Sequence, residues 1–189
     1  MPEFDALSVL RRECRSLHRQ LERKDTFARL LKNDVEIPDY VSALKVLFRF
    51  VSSFEARLVS LVEATPFSEI YTPRLPLLRA DLNALQEILP IHDDPPHGAS
   101  SVEDACGLVY MMEGASLGSA IIRAHLTARL GNDLPLGYFG LHAEEIGRWE
   151  RVTGRLDEML PDETSAARAA ASAADAFRVL ISMASPRDP

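Results

Sequence analysis

Cysteine is scarce. Cys14 and Cys106 are the only two in 189 residues, they stand far apart, and they form no Cys-x-x-Cys pair, so neither a disulfide framework nor a zinc ribbon has support. Reduced thiols in a cytoplasmic protein are the expectation. The first residues, MPEFDALSVLRREC, lack the basic-then-apolar order of a secretory signal, and no unbroken apolar run of bilayer length is expected, so no membrane partner is expected. Positive charge is not in excess: the formal net charge is −7, which argues against a nucleic-acid or anionic-membrane binder. Period-2 alternation is scarce too, so a sheet of consequence is not expected. No repeat of fixed period occurs.

What is present is helical periodicity almost everywhere, in a chain long enough for one core and short for two. The pattern predicts an all-α, single-domain bundle over residues 1–189, of about six to eight helices, with 185–189 as a flexible tail. The first helix is expected from about Asp5 to Leu31 and the second from Pro38, a residue favoured in a first turn, to about Val62. A third runs from Arg74 to Leu89, and the proline-rich PIHDDPPHGAS reads as a loop. Ser100 with Glu103 forms a prospective capping box for a helix that ends near Leu130, before Gly131. GNDLPLGYFG is then a loop, followed by helices over His142–Leu160 and Glu163–Met183.

The central stretch is GLVYMMEGASLGSAIIRAH, residues 107–125. Gly114 and Gly118 fall one turn apart on one helix face, with Gly107 on roughly the same face. Each costs about 1 kcal/mol relative to alanine, so something must approach the bare backbone closely. Another helix is one occupant, since small faces let two backbones pack tightly, and spacing alone favours it. A flat ligand lying on the helix is the other.

On the first helix Leu10, Leu17 and Leu21 share one side, and Arg11, Arg15, Arg19 and Arg23 form a stripe on the other. His18 falls between them, with Glu22 one turn later. Taken alone, a boundary histidine packed on leucine and a solvated arginine face explain both features. Taken together they suit an amphipathic ligand. A neutral imidazole can bind a metal through one nitrogen while the other is oriented by a carboxylate, and guanidinium groups can pair its anions. Arg148, Arg151 and Arg155, spaced three and four apart, could supply more such groups or could pair with Glu144, Glu145 or Glu150.

LHRQLE at 17–22, RLPLLRADLNAL at 74–85 and YMMEGASLGSAII at 110–122 resemble, in order and spacing, the signature segments of bacterial haem oxygenases, most nearly the branch associated with bacteriophytochromes. The resemblance covers most of the chain. It implies an all-helical fold with haem between a proximal histidine helix and a distal glycine helix. His18 would be the iron ligand and Glu22 its partner. Gly114 and Gly118 would be the distal contacts, with Ser119 where the family often has a further glycine, and Arg11 would face a haem propionate. Arg151 and Arg155 are further propionate candidates, and Tyr110, Phe139 and Phe177 are candidate pocket walls. The implied activity is cleavage of haem, by dioxygen and electrons from a ferredoxin or flavoprotein reductase, to biliverdin, carbon monoxide and ferrous iron, with a bacteriophytochrome as a possible biliverdin acceptor. The arginines of the first helix would dock the acidic donor.

Many family members have an aspartate after the first distal glycine, where this chain has Ala115. Ser116, Glu113 or His125 would then have to substitute in proton delivery. Other classes stay open. A haem-binding or cofactor-free scaffold would keep the bundle without oxidation. A thiaminase-type relative would need an activated cysteine, for which Cys106 is a poor candidate, and a ferritin-like centre would need Glu-x-x-His pairs, which do not occur. His92, Asp93, Asp94 and His97 could gather around a metal, although their loop reads more simply as a solvated turn.

Overall fold

The structure, a computed structural model, describes residues 4–91, 99–143 and 145–185. Helices α1 (Ala6–Glu22), α2 (Asp25–Ala28), α3 (Ile37–Ser52), α4 (Glu55–Val62), α5 (Leu75–Ala84), α6 (Val102–Leu130), α7 (Gly137–Gly140), α8 (Arg148–Met159) and α9 (Glu163–Met183) follow in order, with no strand among the described residues. The expected all-α architecture is what forms.

Several boundaries differ from those expected. The first helix stops at Glu22, and a short α2 and a 3-10 turn over Arg29–Leu31 replace its last third. Nothing in the run of helix formers marks that stop. Tertiary ties make it: Lys24 Nζ donates to Ser185 Oγ at 2.7 Å, Thr26 Oγ1 donates to Ala184 O, and Arg29 bridges Asp34 and Asp39. The second predicted helix is two, broken at Ser53, whose hydroxyl donates to Phe50 O at 2.6 Å. The third ends at Ala84, and Gln86 takes a left-handed φ of 59°. The capping box at α6 is one residue later than expected: Asp104 N donates to Ser101 Oγ, and Ser101 N donates to Asp104 Oδ2.

Predicted as loop, the segment 137–140 forms α7, because buried Asp81 accepts from the backbone N–H groups of Gly137 and Tyr138, each at 2.9 Å. The predicted fifth helix begins six residues late, at Arg148, after a turn. The last helix spans the predicted residues, opened by Asp162 and Ser165 capping each other.

One core cluster runs from Ala6 to Leu180. Its backbone is α9, whose alanines Ala166, Ala169, Ala170, Ala173 and Ala176 are buried. Both α1 and α6 pack mainly on α9, and they scarcely touch each other. That leaves a trough between them, floored by α9. Helix α6 is long and apolar enough, by length and composition, to cross a bilayer, although Glu113 interrupts its apolar run. Here it is a core helix, packed on α9, α8, α7 and α4.

Candidate functional site

The trough is a cavity of about 530 Å³, within the usual size range of ligand pockets. His18, Arg11 and Glu22 line it from α1, and Gly114, Ala115, Gly118 and Ser119 line it from α6. Phe177 and Leu180 of α9 form its floor, Leu47 and Phe50 of α3 close its deep end, and Tyr110, Tyr138, Phe139 and Trp149 add aromatic wall. Its surface is therefore mostly hydrocarbon, with polar groups confined to a few places.

On the α1 wall the amphipathic pattern sends Leu10 and Cys14 into the core and leaves His18 at the boundary. Its ring stands edge-on to Phe177, centroids 5.9 Å apart. Nδ1 lies 3.3 Å from Glu22 Oε1, one turn on, and Nε2 has no partner among the described residues. The imidazole is 54% exposed, as a ligand-facing group should be. Arg11, on the same face two turns earlier, has no hydrogen-bond or ion-pair partner among the described residues, and neither do Arg15, Arg19 and Arg23. Four guanidiniums at successive turns repel one another, so the stripe is held at a small cost to the helix.

The α6 wall uses its glycines in two ways. A Cβ on Gly107 would overlap the carbonyl oxygen of Ala169 and lie 2.9 Å from Ala173 N, so there the close neighbour is another helix. A Cβ on Gly114 would meet only the edge of Trp149, at 3.6 Å, and one on Gly118 would meet nothing within 4 Å. Packing within the protein does not require glycine at 118; the bare backbone there is offered to the cavity. These residues fit a flat, metal-centred, anionic ligand: a free imidazole nitrogen on one wall, a side-chain-free patch on another, and an unpaired cation in the lining.

Behind the glycine wall lies a buried ionic network. Glu113, only 2% exposed, accepts from Arg74 Nη2 and from Arg148 Nε, both at 2.8 Å. Burial opposes its ionisation most strongly, yet the two guanidiniums outweigh that and hold the carboxyl below its ordinary range. Arg74 also donates to Thr72 O and Met112 O, and stacks on Tyr71 at 4.9 Å. Glu55 accepts from Tyr71 Oη and from the backbone N–H of Arg74 and Leu75, capping α5 from a distance. This network anchors α6 one residue before Gly114.

Of the residues singled out from sequence, His18, Arg11, Glu22, Tyr110, Gly114, Gly118, Ser119, Phe139 and Phe177 all line the one cavity. Ser116, Arg151 and Arg155 do not. Ser116 faces a smaller cavity on the other side of α6, Arg151 pairs with Glu145, and Arg155 pairs with Glu158 at 2.6 Å. Arg148 is consumed by Glu113 and Glu145. Their regular spacing was real, but the carboxylates that take them lie nearby in the fold. His125 bonds Lys32 O, outside the cavity lining. Cys106 is buried with its thiol pushed up to about 12, which is no activated nucleophile. No metal-ligating cluster occurs among the described residues, and His92, Asp93, Asp94 and His97 lie outside them. Sequence reasoning missed Trp149 as a wall of the cavity, although its singular occurrence in an amphipathic helix was a usable signal, and it missed His142, which no local pattern marks.

Comparison with known proteins accounts for this arrangement. A family model described as heme oxygenase matches residues 5–185. A heme oxygenase from Xanthomonas campestris pv. campestris (strain 8004) is 33% identical over 141 residues, which is 74% of this chain and 83% of that protein. The crystal structure of heme oxygenase-1 from the cyanobacterium Synechocystis sp. PCC6803 in complex with heme superposes with a TM-score of 0.74 at 20% identity, covering 96% of this chain and 91% of that one. The matched span takes in α1, α6 and α9 together, the three helices that enclose the cavity, and the chain belongs to the haem oxygenase family.

Proposed function

We propose that this protein cleaves haem to biliverdin, carbon monoxide and ferrous iron, using dioxygen and electrons from an external donor. One observation carries the reading: at Gly118 an open, side-chain-free stretch of helix looks into the same cavity as the free Nε2 of His18. Haem, when bound, is both substrate and the centre at which dioxygen is reduced.

The protein's own groups then have definite tasks. His18 Nε2 holds the iron, and Glu22 fixes the ring through Nδ1 and raises its basicity. As a neutral imidazole, His18 would be a weaker donor to the iron than a thiolate. Gly114 and Gly118 allow the helix to lie against the tetrapyrrole and leave no side chain to block its edge. The apolar floor of Phe177 and Leu180 keeps water away, which strengthens the few electrostatic contacts that remain. Arg11 pairs a propionate at the rim, and Tyr110 and Ser119 complete the wall. Ser119 donates to Ala115 O, so its hydroxyl is directed along the helix.

The electron donor docks on Arg15, Arg19 and Arg23, exposed cations without partners among the described residues, beside the cavity into which Arg11 reaches. An acidic ferredoxin or a flavoprotein reductase has the complementary charge. Resemblance to the bacteriophytochrome-associated branch, together with the small residue Ala115 after the first distal glycine, supports a bacteriophytochrome as the recipient of biliverdin. Residues 1–189 act as one domain in the cytoplasm, in keeping with a single core and two free, buried cysteines.

Hemin added to the purified protein gives a Soret band of histidine-ligated haem, and a reductant in air then converts it to bilin absorbance. Binding without conversion would instead establish a haem carrier.

A further inference from the structure

The four tyrosines of this chain divide by where their hydroxyls end. Tyr40 Oη donates to Pro135 O at 2.6 Å and Tyr71 Oη to Glu55 Oε1 at 2.9 Å, and neither residue lines the haem cavity. Tyr110 and Tyr138 do line it, and neither hydroxyl has a hydrogen-bond partner among the described residues. A hydroxyl buried without a partner costs free energy, so one kept open toward a cavity is a place for a water or a ligand.

Tyr138 is deeply set, at 9% exposure. Its hydroxyl is nonetheless not sealed: the one sealed side-chain atom that lacks a partner among the described residues is His142 Nε2. The space onto which Tyr138 opens is the cavity it lines. Its placement is firm. Asp81 accepts from the backbone N–H of Tyr138 at 2.9 Å, and Phe139 stands edge-on to the ring, centroids 5.1 Å apart.

The two open hydroxyls serve different sides of the cavity. Besides burial, the groups that act on the Tyr110 oxygen are Cys14 and Arg11, both on α1. For Tyr138 they are Arg74 and Glu55, members of the network behind α6. Helix α7, which carries Tyr138, packs on α6 and α5, whereas α1, which carries His18, packs mainly on α9. Tyr138 therefore enters from the glycine side, and Tyr110 reaches toward the histidine side. Burial pushes the Tyr138 phenol up to about 12, so it stays an O–H donor at any working pH. Other polar groups of the α6 side are spent: position 115 is alanine, the Ser119 hydroxyl donates to Ala115 O, and Glu113 takes two guanidiniums.

We propose that Tyr138 is the hydrogen-bond donor on the α6 side of the haem cavity, its hydroxyl serving the small molecule held there, water at rest and dioxygen in turnover. The idea rests on the haem-cleaving reading. It gives the chain a polar group on the side where position 115 offers none. The hydroxyl donates a hydrogen bond without giving up its proton, so the residue leaves each cycle unchanged.

Tyr138→Phe tests this, because it removes the oxygen and keeps the ring. With hemin, the variant should show the wild-type affinity and Soret maximum, since His18 is untouched. Fluoride added to the ferric protein is a hydrogen-bond acceptor, and its Kd should rise about 10-fold, the worth of one hydrogen bond, a readout that needs no turnover. Carbon monoxide added to the reduced protein accepts hydrogen bonds poorly and should bind as it does to the wild type. Ring opening by reductant in air should slow as well. Tyr110→Phe should weaken fluoride less than Tyr138→Phe does. Wild-type fluoride affinity in Tyr138→Phe overturns the proposal, as does a larger loss in Tyr110→Phe. An equal weakening of fluoride and carbon monoxide also overturns it, since that makes Tyr138 a packing residue. If the wild-type protein binds hemin but never opens it, the catalytic reading fails by itself, and the fluoride comparison still decides the donor. A wild-type protein that takes up no hemin overturns both.

Discussion

The two halves of α6 put the same residue to opposite uses. At Gly107 the missing side chain makes room for the backbone of α9 at Ala169 and Ala173, whereas at Gly118 it makes room for nothing in the protein. A glycine stripe therefore has no single meaning. What gives it one is the partner across the gap: an alanine-rich helix for the first half, and for the second a cavity whose far wall carries His18. Glu113 sits at the junction, fixing where packing ends and the site begins.

Substitutions can break that contrast. The largest expected effect is at the junction. Glu113→Gln leaves Arg74 buried without its counter-charge and Arg148 with Glu145 alone, and should cost about 3 kcal/mol of stability, measured by denaturant unfolding. The same carboxyl carries a pH dependence. Because its folded pKa lies below the ordinary value, its stabilisation is present above that value and is lost as pH falls through the folded one. Unfolding midpoints followed from about pH 6 to about pH 3 should fall in the wild-type protein and flatten in Glu113→Gln.

Next comes the packed half. Gly107→Ala drives a methyl group into the α9 backbone and should destabilise by about 3 kcal/mol, with hemin affinity unchanged wherever the variant remains folded. Gly118→Ala should behave in the reverse manner, gaining about 0.5–1 kcal/mol from helix propensity while binding hemin more weakly. If both variants lose stability alike, the contrast between the halves is wrong. The smallest effect concerns the rim: Arg15→Ala with Arg19→Ala should slow donor-supported turnover a few-fold at low salt and erase its dependence on ionic strength, with hemin binding unaltered.

How far these features were legible in the sequence depended on whether their cause was local. Helix α6 ends at Gly131 and α9 spans Glu163–Met183, and both limits were read from the chain, although the cap that Asp162 provides for α9 was not. The stop of α1 at Glu22 and the break at Ser53 carry no glycine or proline, so continuous apolar spacing concealed them. The capping box slipped by one residue because Ser100–Glu103 and Ser101–Asp104 satisfy the same pattern. Helix α7 depends on Asp81, a residue 56 positions earlier in the chain than Gly137.

The site divides in the same way. His18, Glu22, Gly114 and Gly118 lie at helical spacings whose shared face is fixed by geometry, and the fold gathered them around one cavity. Arg151 and Arg155 had equally good spacing, yet Glu145 and Glu158 take them, and no periodicity announces a competing carboxylate. His142 owes its position to a turn and its character to burial, neither of which is written locally.

The central claim is that His18 and the bare face at Gly118 hold one haem between them. Hemin titrated into His18→Ala, with and without free imidazole, tests it most directly. The variant should lack the Soret band of histidine-ligated haem and recover it when imidazole fills the vacated position beside Glu22. A variant whose spectrum already equals that of the wild-type protein would place the iron on another residue and contradict the account.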